Sequence, residues 1–258
     1  MNIPFLRPAP RAKGPSAPAK PPRAATVKAL RLDGVPAPLE LRLSPRARRM
    51  SLRIDSTREV VLVVAPLGVP DGDVLRFVGR HVAWVRAKLS AVPPRLPFED
   101  GIEIPILGVP HRIRHDPDHR GAARMVATGW GNELRVGGSP EFLARRVEQF
   151  LKGEARKMLA ARARAKAAMI GARVTGVTVR DTKSRWGSCS ATGGLSFSWR
   201  LILAPDPVFD YVVAHEVAHL KEMNHSIRFW RLCAKLTHNA EGARAWLKAH
   251  GARLHRYG

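Results

Sequence analysis

Residues 211–225 of the sequence are YVVAHEVAHLKEMNH. This segment contains the pattern His-Glu-x-x-His, with histidines at positions 215 and 219. Residues four apart lie on one face of a helix with their β-carbons about 5–6 Å apart, so two imidazoles at this spacing can bind one metal ion. Apolar residues fall on the other side of such a helix and can pack into a core. The segment therefore predicts a buried helix that carries His215 and His219 as metal ligands.

A hydrolytic zinc site needs a third protein ligand and one open position for water. We expect His225 as this third ligand, because Asn224 favours a left-handed turn that would direct the next residue back toward the ion. Glu222, or a carboxylate from a later helix, remains an alternative third ligand. Glu216 follows the first histidine directly, which predicts that its carboxylate is the general base. Ser226 is predicted to cap a further helix.

A polar loop and a strand precede the metal-binding helix. Within the loop, Arg185, Ser188 and the backbone of Gly187 are candidates to contact the substrate or the oxyanion that forms during hydrolysis. Apolar and polar residues alternate from Leu195 to Leu203, which predicts a strand. The sequence leaves open whether this is an edge strand, to which an extended peptide could add, or an interior strand.

The pattern upstream of residue 138 favours strands. Alternating or continuous apolar residues predict strands over 39–43, 50–54, 60–64, 102–107, 110–115, 124–128 and 133–136. Apolar residues at three- and four-residue spacings predict a helix after Pro70 that ends before Pro93. Ser139 and Pro140 predict the start of a long helix to about residue 170, and Asp206 with Pro207 predicts the start of the metal-binding helix.

These elements predict an α+β fold, with an antiparallel, β-rich N-terminal half followed by a mostly helical half that contains a small sheet. We expect three regions: a disordered basic tail over residues 1–26, a β-rich region over 27–137 and a catalytic region over 138–258. The tail is rich in Pro, Ala, Lys and Arg and has few large apolar residues, so it cannot offset the entropy lost on ordering.

The chain has 44 Lys plus Arg against 21 Asp plus Glu, a net charge of +23. This surplus favours an anionic partner such as a nucleotide or nucleic acid, although solvated helix faces also explain it and no nucleic-acid recognition motif accompanies it. Two cysteines are too few for a disulfide framework and fit a reducing compartment. We find no apolar run of signal-peptide or membrane-span length, so we expect a cytoplasmic protein without membrane contact.

Several segments together resemble the YgjP-like metallopeptidase family. They are Arg46–Arg53, Lys183–Ser190, Trp199–Leu201 with Ala204 and Pro205, Tyr211–Glu216 and Leu220–Trp230. The resemblance covers nearly the whole chain after the tail, and the family is similar in its zinc motif to the SprT-like and other small zincins. It implies a zincin-like catalytic half in which His215, His219 and His225 bind zinc and Glu216 is the base.

We therefore expect a zinc-dependent hydrolase, and in particular a metallopeptidase that acts on protein or peptide substrates. In the expected mechanism Zn²⁺ activates a water molecule and Glu216 removes its proton. Two alternatives stay open. One is a metal-dependent hydrolase of a phosphate-containing small molecule such as a nucleotide, and the other is a nucleic-acid-associated protein.

Overall fold

The computed structural model describes residues 27–55, 58–119 and 121–258. The basic tail expected over residues 1–26 lies outside these ranges. The described chain divides into two compact units, of which the first ends at Pro94 and the second spans Arg95–Gly258. The boundary expected between residues 137 and 138 therefore falls inside the second unit.

The first unit contains a four-stranded sheet and two helices. The strands are β1 (Val27–Leu30), β2 (Leu39–Leu43), β3 (Ser51–Asp55) and β4 (Val60–Ala65), and the helices are α1 (Asp71–Gly79) and α2 (Val82–Ser90). The strand order is β1-β2-β4-β3, in which β2 and β4 are parallel and the other two pairs are antiparallel. Aliphatic side chains from both layers, including Leu41, Val63 and Val78, form the core of this unit.

Two helices replace the single helix expected after Pro70. The imidazole Nδ1–H of His81 donates a hydrogen bond of 2.8 Å to the Phe77 carbonyl, and the backbone N–H of His81 bonds instead to Val78. A side chain that takes the place of a backbone donor interrupts the helical ladder. The apolar spacing is the same in a continuous and an interrupted helix, so the pattern did not indicate this break.

The second unit begins with another four-stranded sheet and a long helix. The strands are β5 (Glu103–Ile106), β6 (Val109–His115), β7 (Arg124–Thr128) and β8 (Gly131–Val136), in the order β5-β6-β8-β7 with β6 and β8 parallel. A 3-10 turn over Pro140–Phe142 leads into α3 (Leu143–Met169). The buried residues of α3 recur at every fourth position from Leu143 to Ala167, which gives the helix one continuous apolar face.

A three-stranded sheet and three helices complete the second unit. They are β9 (Gly176–Arg180), β10 (Gly187–Cys189), β11 (Gly194–Ser198), α4 (Asp206–Ala218), α5 (Ile227–Leu236) and α6 (Ala240–Leu254). The strand order is β10-β11-β9, so β11 is the central strand. The interior-strand alternative for the segment that begins at Leu195 is therefore confirmed, and the edge-strand alternative is wrong.

The strand expected to run from Leu195 to Leu203 ends at Ser198. The following residues, Trp199–Leu203, form a 3-10 helix in which all five side chains are buried. A strand with one solvated face would expose alternate side chains. Arg200 is buried as well, and its guanidinium bonds to Asp181 and to the Tyr257 carbonyl. The 3-10 helix therefore buries side chains that a strand with one solvated face would expose.

The described chain has the predicted α+β fold, and the second unit has one continuous core. Ile104 and Leu134 of the four-stranded sheet, Leu151 of α3 and Val213 of α4 belong to the same buried cluster. This core fixes α4, the helix that carries His-Glu-x-x-His, on several sides. Within the described ranges, no helix is both long enough and apolar enough to cross a membrane.

Candidate metal centre

Helix α4 holds the first two histidines in the core of the second unit. Every residue from Tyr211 to Ala218 is buried, and the helix packs against α3, α5 and α6. His215 is 1% exposed and His219 is 7% exposed. His219 follows the last helical residue, but its φ of −64° and ψ of −18° keep the helical direction, and its ring centroid lies 4.9 Å from that of His215.

The loop between α4 and α5 brings a third imidazole to this pair. The ring centroid of His225 lies 4.9 Å from that of His215 and 4.8 Å from that of His219. One ligand atom from each of the three side chains lies within 4.8 Å of the other two. Nitrogens that share a tetrahedral zinc at about 2.0–2.1 Å are roughly 3.3–3.4 Å apart, so small side-chain rotations suffice to form such a site.

The closest contact in the cluster joins two imidazole nitrogens. Nε2 of His225 lies 3.0 Å from Nε2 of His215. Two nitrogen lone pairs at this distance repel unless a proton or a cation lies between them. A ring proton satisfies this contact in the metal-free protein, and a cation bound to all three nitrogens can take its place.

The loop reaches this arrangement without the left-handed turn expected at Asn224. Among the described non-glycine residues, positive φ occurs at Glu59 and Leu107. Instead, Leu220 and Glu222 continue to donate backbone hydrogen bonds to α4, and these right-handed turns direct the chain toward His225. The prediction for Asn224 was wrong because a residue type that tolerates left-handed geometry does not require it.

Glu222 contributes its backbone to the centre and not its side chain. The Nδ1–H of His219 donates a hydrogen bond of 3.0 Å to the Glu222 carbonyl. In the part of the chain that the structure describes, the cluster of potential metal-binding side chains consists of the three histidines, without Glu222. The geometry thus favours His225 over Glu222 as the third ligand.

A hydrogen bond to Tyr211 also orients the imidazole of His215. Its Nδ1 lies 3.4 Å from the hydroxyl oxygen of Tyr211, one turn earlier on α4. When Nδ1 carries the proton in His215 and in His219, Nε2 keeps the lone pair that a metal ion requires. Tyr211 is 1% exposed, so its whole side chain packs in the core.

Two aromatic residues of α5 pack against the imidazoles, and the sequence pattern assigned neither to the site. The ring centroid of Phe229 lies 4.8 Å from that of His215, 4.5 Å from that of His219 and 4.6 Å from that of His225. Trp230 stacks on His225 at 5.6 Å with an interplanar angle of 29°. The only sequence signal for these contacts is that both residues follow His225 by about one helical turn.

Burial keeps the imidazoles of α4 neutral. Burial, together with the neighbouring imidazoles, lowers the pKa of His215 to about 2. The pKa of His219 falls to about 4, mainly through burial, although the hydrogen bond to the Glu222 carbonyl opposes the shift. The pKa of His225 is also lowered, first by burial and then by the positive charge of Arg244. Neutral imidazole is the form that binds a metal, so the rings are ready as ligands at neutral pH.

Glu216 directly follows His215 on α4 and is 2% exposed. Burial raises the pKa of its carboxyl to about 8, and the positive charge of Arg185 opposes this shift. The structure thus brings Arg185, from the predicted polar loop, within electrostatic reach of the proposed base. The side chain of Arg185 is itself exposed to solvent.

Strand β10 lies beside Glu216, and its residues alternate between the two faces of the sheet. A β-carbon placed on Gly187 would face Glu216, and the negative charge of Glu216 acts on the thiol of Cys189. Successive strand residues point to opposite faces, so the Ser188 hydroxyl points away from Glu216. The structure therefore does not bring Ser188 to the carboxylate, in contrast to Arg185.

Both cysteines are buried and free. Burial raises the pKa of Cys189 to about 12 and that of Cys233 to about 11. A thiol with such a pKa is a poor nucleophile and a poor metal ligand at neutral pH. Their contribution is packing.

Three converging imidazoles and an adjacent buried carboxyl are the arrangement of a metal-dependent hydrolase. The family model for the YgjP-like metallopeptidase domain matches residues 48–250, and the chain belongs to this family. It is therefore a hydrolase of the metallopeptidase type, and the resemblance noted in the sequence is confirmed. Comparison with curated proteins and comparison with solved structures gave no match.

Proposed function

We propose that this protein is a zinc-dependent metallopeptidase whose ion is held by His215, His219 and His225. The observation that carries the proposal is the convergence of the three imidazoles next to a buried carboxyl. An all-nitrogen set with neutral rings suits zinc, whereas calcium and magnesium prefer oxygen ligands. Three protein ligands also leave a fourth position for water.

In this proposal Glu216 is the general base. A bound Zn²⁺ supplies the Lewis acid that polarises the scissile carbonyl and lowers the pKa of water to about 7. Glu216 takes the proton of the attacking water and delivers it to the leaving amine. In the metal-free site burial raises the pKa of its carboxyl to about 8. A bound cation would lower this pKa toward the working pH, where a base can both accept and return a proton.

Arg185 is proposed to stabilise negative charge near the base. Its guanidinium acts on the Glu216 carboxyl and reaches the site from the exposed polar loop. A cation in this position can hold the substrate carbonyl oxygen as it becomes negative. Ser188 was the second candidate for this role, and the direction of its side chain favours Arg185.

The free edge of β10 is the proposed binding place for an extended peptide. Ser198 donates its N–H to the Trp186 carbonyl at 2.9 Å, and Ser190 donates to Gly194 at 2.8 Å. Alternation along an antiparallel pair then directs the backbone groups of Gly187 and Cys189 to the opposite edge. Among the described strands, β10 pairs with β11 alone. A peptide that adds to this edge would pass beside Glu216.

The Glu216→Gln variant tests the proposed function. It should retain zinc, because the ligands are unchanged, and should lose kcat by on the order of 10²–10⁴-fold. Peptide cleavage and zinc content are to be measured on the zinc-loaded full chain. The matched control is Glu222→Gln, which changes a carboxylate outside the cluster and should retain activity within a few-fold. Unchanged peptide cleavage by Glu216→Gln would refute the mechanism.

The same assay distinguishes the substrate classes. Release of phosphate from nucleotides, measured in parallel with peptide cleavage, would favour the alternative of a phosphate-containing substrate. The anionic partner suggested by the net charge of +23 stays a prediction, as does the cytoplasmic location.

A further inference from the structure

Gly187 of β10 makes an unusually close approach to the proposed base. A β-carbon added at this position would lie 2.5 Å from Cγ, 2.6 Å from Oε1 and 2.8 Å from Cδ of Glu216. Carbon atoms in contact normally stay about 3.5–4.0 Å apart. Any residue other than glycine would therefore require Glu216 or the strand to move.

The strand is held firmly in place. Hydrogen bonds to β11 flank Gly187 on both sides, through the Trp186 carbonyl and the Ser190 N–H. Trp186 is 2% exposed and its ring stacks on His255 with centroids 4.7 Å apart, while Cys189 is also buried. A new side chain at 187 is therefore not accommodated by a shift of β10.

The helix on the other side of this contact is equally fixed. Glu216 lies in the buried part of α4, between residues that pack into the common core. The Glu216 side chain is the flexible partner in this contact, so we expect it to be the group that moves. A methyl group at 187 would displace the carboxyl from its present position.

We infer that Gly187 is a positioning residue for Glu216, because the bare backbone of β10 forms the wall that sets where the carboxyl lies. This inference rests on the proposed function of Glu216 as the base. The missing side chain at 187 acts through the glutamate, whereas the backbone of Gly187 belongs to the proposed peptide-binding edge.

A stability cycle tests the contact without reference to activity. Gly187→Ala should lower the Tm of the zinc-loaded protein by on the order of 5 °C, because overpacking a fixed site is destabilising. In a Glu216→Ala background, which removes Cγ and the carboxyl, the same change should alter Tm by no more than about 2 °C. Gly176→Ala is the matched control. It lies on β9 of the same sheet, an added β-carbon there has no atom within 4 Å, and its Tm should be unchanged or higher.

Kinetics and crystallography test the positioning role. Gly187→Ala should retain zinc and KM within a few-fold and lose kcat by about 10²-fold, as expected for a misplaced base. A crystal structure of the variant should show the Glu216 carboxyl displaced by roughly 1 Å or more. Gly176→Ala should match the wild type in each measurement.

Two outcomes would overturn the inference: an equal loss of Tm with and without the Glu216 side chain, or an unchanged kcat in Gly187→Ala. Failure of the proposed function gives a different result, because wild-type protein would then cleave no peptide while the Tm cycle still reports on the contact.

Discussion

Each imidazole of the candidate metal centre has at least one contact that limits its rotation. Hydrogen bonds from Nδ1 orient His215 and His219, and Trp230 stacks on His225. Phe229 packs against all three rings, with centroid distances of 4.5–4.8 Å. Residues that orient ligands without binding the metal raise affinity, because less rotational freedom is lost when the ion binds.

Replacing Phe229 tests this role of the aromatic ring. Phe229→Leu keeps an apolar side chain but loses the planar contacts, so zinc affinity should fall by about 10-fold or more. Competition with a chelator measures the affinity. Phe209→Leu changes another fully buried phenylalanine of the same unit, which is not in ring contact with the three histidines, and should leave zinc affinity unchanged. Equal zinc affinity in both variants would contradict the assigned role.

The spacing of His215, Glu216 and His219 was enough to predict which side chains converge, because a helix fixes the relation between residues four apart. The contacts of Phe229 and the close approach of Gly187 could not be predicted in the same way. Both depend on how α5 and β10 dock on α4. That docking is a tertiary property, which local spacing does not encode.

At the scale of secondary-structure elements, the start of α5 links the loop that carries His225 to the helix that carries Phe229. The predicted cap is confirmed: the Ser226 hydroxyl accepts a hydrogen bond of 3.3 Å from the Phe229 N–H. The capping residue directly follows His225, so it also holds in place the part of the loop that carries the third imidazole.

Removing this cap should affect both stability and metal binding. Ser226→Ala should cost about 1 kcal/mol of stability and also weaken zinc binding measurably. Asn239→Ala removes the equivalent cap of α6, where Asn239 accepts from Gly242 at 3.0 Å, and should cost similar stability without changing zinc affinity. Chemical denaturation and zinc titration separate the two effects. Unchanged zinc affinity in Ser226→Ala would show that the cap does not hold the loop.

Element boundaries were less predictable than the elements themselves. The apolar alternation of Leu195–Leu203 continued beyond the strand. Residues 199–203 are buried for a different reason, because they form a 3-10 helix that packs against α3. Likewise, the break between α1 and α2 depends on the side-chain bond of His81. Neither contact has a signature in the periodicity of the sequence.

At the scale of the whole molecule, the four-stranded sheet β5–β8 shares its core with the metal centre. Ile113 and Leu134 of this sheet and Val213 of α4 belong to one buried cluster. Sequence pattern identified the strands but grouped them with the N-terminal region, since periodicity shows which face is buried and not what covers it. The family match, over residues 48–250, also begins well before the catalytic helices.

The buried titratable groups predict how the stability of the metal-free protein depends on pH. The pKa of His215 is lowered from 6.5 to about 2, and those of His219 and His255 to about 4, mainly by burial. Between about pH 4 and 6.5 the unfolded chain binds these protons and the folded chain does not, so stability rises with pH. The pKa of Glu216 is raised from 4.5 to about 8, so this carboxyl has the opposite effect between pH 4.5 and 8.

Four histidines have a lowered pKa, His215, His219, His225 and His255, and together they outweigh the one carboxyl until most of their unfolded-state protons are lost, near pH 7. The Tm of the metal-free protein should therefore pass through a maximum near pH 7. Thermal unfolding between pH 5 and 8 measures this profile. In Glu216→Gln the decline above pH 7 should disappear. A wild-type Tm that does not fall between pH 7 and 8 would contradict the raised pKa of Glu216.

X-ray absorption spectroscopy at the zinc edge tests directly whether the three imidazoles bind one ion. Measurements are needed on zinc-loaded wild type, on His225→Ala and on His250→Ala, which changes an exposed histidine of α6. We expect three imidazole nitrogens at about 2.0–2.1 Å in the wild type and in His250→Ala, and two in His225→Ala. Zinc ligation that does not change when His225 is replaced would contradict a site formed by these three histidines.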